Sequence, residues 1–212
     1  MSADIQLDLS VLNDHHKDTF AHIKLWEARR DRTFYIIAVL LGFLFLAVNY
    51  PETVKAVVAK PAPLPSGELD LASLPVEILL SVGWAILFAL VLRHCQASIT
   101  AERQYKYLNL VEAKMATLCD DCDLFQREGR AYNDRYPAFS KWAYIFYAGL
   151  FPLGVVLVSG QLLLTEWCAE GNRFHRFFDG VLWLGVVVSF GLYRLWAPLR
   201  KRFGSKPVTP AP

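Results

Sequence analysis

Four long apolar blocks decide what this chain can become. Residues 33–50 read TFYIIAVLLGFLFLAVNY, and 75–92 read PVEILLSVGWAILFALVL. Residues 142–164 read WAYIFYAGLFPLGVVLVSGQLLL, and 177–196 read FFDGVLWLGVVVSFGLYRLW. Each block matches the roughly 17–25 residues that carry an α-helix across a bilayer. With 54% hydrophobic residues in a chain of 212, a water-soluble fold would have to hide all four, and too little polar chain remains to cover them. The charges inside the blocks, Glu77, Asp179 and Arg194, stand near block ends, where side chains are expected to snorkel to the interface. The expected fold class is all-α, a polytopic membrane protein with four transmembrane helices and a helical cytosolic stalk.

Basic residues set the orientation. With four spans, both termini share a side with the middle loop. Residues 1–33 carry five Lys or Arg, 93–141 carry eight and 194–212 carry five, out of 22 in the chain. The two remaining loops hold only Lys55, Lys60, Arg173 and Arg176. The positive-inside rule therefore places both termini and the middle loop in the cytoplasm, and a bacterial inner membrane is the expected location. The first 33 residues are polar and mixed in charge, so the first span is expected to direct its own insertion without a cleaved signal. The organisation reads as a cytosolic N-terminal helix over 1–33, a first transmembrane pair over 34–92, and a cytosolic helical hairpin over 93–141. A second transmembrane pair over 142–197 and a disordered cytosolic tail over 198–212 complete it. Prolines in 51–74 favour an extended connection.

The cytosolic segments carry more detail. No Pro or Gly interrupts residues 96–118, and Ala101, Tyr105, Leu108, Val111, Met115 and Leu118 form an apolar seam at coiled-coil spacing. Arg103, Lys106 and Lys114 fall on another face. The second span should thus continue roughly 40 Å beyond the membrane at 1.5 Å per residue. A helix over 14–33, capped by Asn13 or Asp14, is expected to meet the first span. A second cytosolic helix is expected to return through Leu124 and Phe125 to Tyr132, with Pro137 breaking it. Within the spans, Ser81/Ala85/Ala89, Ala38/Gly42 and Gly185/Ser189 are small-residue stripes that let helices approach closely. Pro152, flanked by Gly149 and Gly154, marks a kink in the third span.

Catalytic signatures are missing from the sequence. It contains no G-x-S-x-G, P-loop, H-E-x-x-H or glycine-rich nucleotide loop. No catalytic residue, metal or cofactor is assigned, and an enzyme is not expected. Cys119 and Cys122 form a C-x-x-C without the second pair that a zinc finger needs. His15 and His22 share a helical face, and they read as surface residues. No membrane-embedded carboxylate pair stands out to suggest proton transport.

The pattern around the third span is more suggestive. Arg127, Arg130 and Arg135 interleave with Tyr132 and Tyr136, while Lys141, Trp142 and Tyr144 open the span. Arg29, Arg30 and Arg32 approach the membrane beside Trp26 and Phe34. Cations with flat rings suit phosphates and stacked bases of a single strand, and equally suit lipid headgroups and an interfacial aromatic belt. In the first reading Arg127, Arg130, Tyr132 and Arg135, joined by Arg103 and Lys106, bind a nucleotide oligomer.

The order of segments, with RQYKYLNLVEAKM and then FQREGRAYNDRYPAFSKWAYIFYAGLFP before the last two spans, resembles small bacterial four-span membrane effectors of anti-phage defence, those of Hailong-type systems among them. The residue-level likeness is confined to about 125–152. The resemblance implies a homo-oligomeric ion channel in the lipid bilayer, with a tetramer favoured over a dimer. Its gate would be a cytosolic single-stranded DNA or nucleotide oligomer, and it would be functionally coupled to a nucleotidyltransferase. The alternative is a non-conducting membrane adaptor that recruits a protein partner through the stalk seam.

Overall fold

The computed structural model of the protein describes residues 3–58, 75–118, 142, 145–168 and 173–203. Among the described residues every regular element is helical. Helix α1 runs Ala3–Asn49, α2 Pro51–Val58 and α3 Val76–Leu118. A π-helical turn at Phe146–Leu150 leads into α4, Phe151–Cys168, and α5 runs Arg173–Phe203. Four helical stretches are long and apolar enough to cross a membrane: Leu9–Asn49, Glu77–Leu118, Phe146–Cys168 and Arg173–Leu195. The expected class, an all-helical protein with four spans, is the one found.

Three local expectations change. Asn13 and Asp14 do not cap a helix, because α1 already begins at Ala3. No Pro or Gly stands in residues 3–13 to stop the helix from extending. Residues 51–58 are helical rather than extended. Pro51 occupies the first helical position, where its missing N–H costs nothing and its fixed φ suits the helix. Residues 59–74 lie outside the described residues. In the third span the irregularity falls just before Pro152. The π turn widens the backbone ladder there, and such bulges relieve the contacts that a proline disturbs. A Cβ on Gly149 or Gly154 would meet nothing within 4 Å, so neither glycine is there to admit a neighbouring helix.

The chain forms two compact units. One comprises Met1–Phe34 with Gln96–Leu150, the other Tyr35–Cys95 with Phe151–Pro212. In the first, the stalk seam is buried. Ala101, Leu108, Val111 and Met115 are at most 5% exposed, as is Ile23 of α1. Hiding a side chain such as Leu108 or Met115 contributes about 1.5–3 kcal/mol. Two polar contacts join the same helices: Tyr105 Oη–H donates to Glu27 Oε1 at 2.8 Å, and His16 Nε2 lies 3.3 Å from Glu112 Oε1. The seam is therefore occupied by the chain's own α1.

In the second unit the core holds Ile37, Leu44, Trp84, Leu87, Val91, Val155 and Val186, all 0–2% exposed. Close approach depends on two glycines. A Cβ on Gly83 would sit 2.7 Å from Leu44 Cδ2, and one on Gly185 would sit 2.7 Å from the Phe88 ring. Ser81 and Gly185 thus pack within the protomer, whereas Ala38 and Gly42 are exposed. Trp183 Nε1–H donates to buried Ser159 Oγ at 3.1 Å, tying α5 to α4.

Candidate functional site

Two of the six residues expected to bind an oligomer are described. Arg103 and Lys106 lie on α3, both exposed. Three residues apart on a helix, they share a face, and it is not the face that carries the buried seam. Among the described residues neither has an ion-pair partner. Both guanidinium and ammonium are thus available to an anion. Arg127, Arg130, Tyr132 and Arg135 lie outside the described residues, as do Cys119, Cys122 and Pro137.

The arginines of α1 are engaged differently. Arg29 stacks on Trp26, with the guanidinium carbon 4.8 Å from the ring centroid. Arg30 bonds Asp31 Oδ1 through Nε and Nη2, each at 3.1 Å, and lies 5.4 Å over the Tyr147 ring. Phe34 packs against Tyr147 and Phe146 at 5.2 and 6.2 Å. A cation–aromatic layer at the start of two spans is what an interfacial belt provides. Trp142 is exposed, which also suits a headgroup anchor. Of the three histidines of α1, His15 and His22 are exposed, and His16 meets Glu112. No group of three or more His, Cys, Asp or Glu placed to hold a metal occurs among the described residues.

A cluster that the sequence reading missed lies in the second unit. Asp179 does not snorkel: it is 0% exposed. Ser81 Oγ–H of α3 donates to Asp179 Oδ2 at 3.1 Å, and His175 Nδ1 lies 3.2 Å from the same hydroxyl. Trp84 Nε1–H donates to Glu166 Oε2 at 3.2 Å. The Glu166 and Asp179 carboxyls lie within hydrogen-bonding reach of one another, yet Asp179 Oδ1 has no donor. The local reason is helical spacing. His175 and Asp179 stand one turn apart on α5, Ser81 and Trp84 nearly one turn apart on α3, and Glu166 ends α4. The signal was present in the sequence as an acid four residues after a histidine, facing a second acid across a short hairpin.

One further feature breaks the apolar pattern. Gln161 is exposed within α4. It borders a cleft of about 450 Å³ with Phe45, Asn49, Leu157, Val158, Leu162 and Thr165. Asn49 and Thr165 turn their polar groups to their own helices, onto Phe45 O at 2.9 Å and Gln161 O at 3.0 Å. No protein family, curated protein or solved structure matches this chain.

Proposed function

We propose that this chain is a membrane effector of bacterial anti-phage defence. In this reading it is a homo-oligomeric ion channel, tetrameric rather than dimeric, in the inner membrane with both termini cytoplasmic. A single-stranded DNA or nucleotide oligomer on the stalk controls it, supplied by a partner nucleotidyltransferase. The observation that carries the conducting reading is the exposed amide of Gln161 on a helix otherwise apolar enough to cross a membrane. Polar side chains facing lipid are disfavoured, so such a group belongs against a wet lumen or a partner helix. Control by a ligand is supported by Arg103 and Lys106 on the exposed face of α3, and by α1 and α3 each contributing to both units. A ligand shifts conduction only if it prefers one stalk arrangement. The adaptor reading loses support, because the seam it would offer is already covered within the chain.

The test is conductance in planar bilayers with a panel of single-stranded oligonucleotides. Conductance should appear with a subset of the panel, and Gln161→Leu should lower it while leaving oligonucleotide binding unchanged. Arg103→Glu with Lys106→Glu should weaken binding, and each lost phosphate contact should reduce the log–log salt slope by roughly 0.7. Arg127→Glu and Arg130→Glu should act in the same direction. A protein that stays monomeric in mild detergent and conducts with no member of the panel does not have this function.

A further inference from the structure

The polar cluster at the shared end of α3, α4 and α5 asks for something its own atoms do not supply. Asp179 is 0% exposed, with one oxygen held by Ser81 and the other without any donor. Glu166, beside it, has one oxygen held by the Trp84 indole. Two carboxyls in reach of one another are acceptors only, unless one carries a hydrogen. A buried oxygen left without a donor is costly, and most of all where the surroundings are apolar. Among the described residues, Glu166 comes from α4, His175 and Arg176 from α5, and Ser81 and Trp84 from α3, with Glu77 one turn before Ser81 on α3. Arg176 is also held at the hairpin, where its Nη1–H donates to Trp167 O at 3.2 Å.

We propose that Glu166 and Asp179 form a proton-binding site in which the two carboxyls share one proton taken from the water beside the ends of α4 and α5. The hydrogen bonds also give a route. Ser81 has a single hydroxyl hydrogen and gives it to Asp179 Oδ2, so His175, half-exposed, must face Ser81 with its Nδ1–H. When Ser81 passes its proton to Asp179 Oδ2, His175 Nδ1 replaces it, His175 Nε2 takes one proton from water, and the new carboxyl hydrogen turns from Ser81 to Glu166. The net change is one proton moved from solvent to the carboxyl pair, and release reverses each step. With the proton in place, the pair links α4 to α5 and Ser81 links α5 to α3. Without it, two like charges face each other at the same junction. The site therefore senses pH where α4 ends and α5 begins. This inference does not depend on whether the protein conducts ions.

The deciding measurement is infrared spectroscopy of the full-length protein in mild detergent at neutral pH, read for the carbonyl stretch of a protonated carboxyl. Wild type should show the band, and Glu166→Gln and Asp179→Asn should each lose it, because the new amide donates to the remaining carboxylate. Absence of the band in folded wild type, or its survival in both variants, overturns the proposal. Thermal unfolding gives a second readout should Asp179→Asn fail to fold. The folded wild type holds a proton that the unfolded chain gives up at neutral pH, so its stability falls as pH rises. Between about pH 6 and about pH 9 its Tm should drop by roughly 3 °C more than that of Glu166→Gln. Equal slopes for the two proteins also overturn it. In His175→Ala the band should persist while its response to a pH jump slows, and an unchanged rate removes His175 from the route.

Discussion

Among the described residues each unit buries one carboxyl side chain, and the two are accommodated by opposite chemistry. In the stalk unit Glu112, 5% exposed, meets an imidazole, His16, 3.3 Å away. In the membrane unit Asp179, 0% exposed, meets a hydroxyl and a second carboxyl. Both keep one oxygen without a donor. The stalk acid stands opposite a base, so the pair fixes how two helices align, in the way a single buried polar residue fixes register in a coiled coil. The membrane acid stands opposite another acid, an arrangement that alignment alone does not require. The same residue type thus reports helix register in one unit and a missing hydrogen in the other.

The contrast can be pressed hardest through packing. Trp84→Ala removes the largest fully buried side chain of the membrane unit and the indole that holds Glu166. It should cost about 3–5 kcal/mol, read by denaturant titration of the purified protein. Trp84→Phe should recover most of that loss, and if it recovers none, the polar bond rather than bulk holds the unit together. Leu108→Ala, in the stalk seam, should cost about 2–3 kcal/mol, since a helix pair closes over a cavity more readily than a larger core. The smallest effect belongs to Tyr105→Phe, which removes only the bond to Glu27 and should cost about 1 kcal/mol in the same titration. Should Tyr105→Phe equal Leu108→Ala, the stalk is held by its polar contacts, and the division drawn between the units fails.

Much of the architecture was legible in the sequence, because bilayer thickness imposes a length that composition reveals directly. The four blocks followed from that, while the uninterrupted α3 followed from the lack of Pro and Gly in 96–118 and the seam from its apolar spacing. The start of α1 was not legible, since Asn13 and Asp14 are good caps in isolation and only the surrounding helix overrides them. The candidate oligomer site is one-third in view. Arg103 and Lys106 are exposed on α3 as their spacing required, and the other four residues fall outside the described structure. The acid pair is not visible segment by segment, because Glu166 lies just past the third apolar block and Asp179 reads as a block-end charge. Their proximity depends on how α4 and α5 pair across the hairpin, which no single-segment pattern encodes.

The glycine contacts along α3 limit how its neighbours can move. Phe88 sits in the recess left by Gly185, and Leu44 in that left by Gly83, like a key in its slot. Sliding α5 along α3 would carry the Phe88 ring out of its recess toward Val181 or Ser189, one turn away on the same face, and turning α3 about its axis would lift Leu44 out of its seat. Piston and screw motions therefore cost packing at both recesses. Rocking about the two recesses disturbs these contacts least, and the helix ends then travel farthest. Any stimulus that rearranges these spans has to act by leverage on their tips.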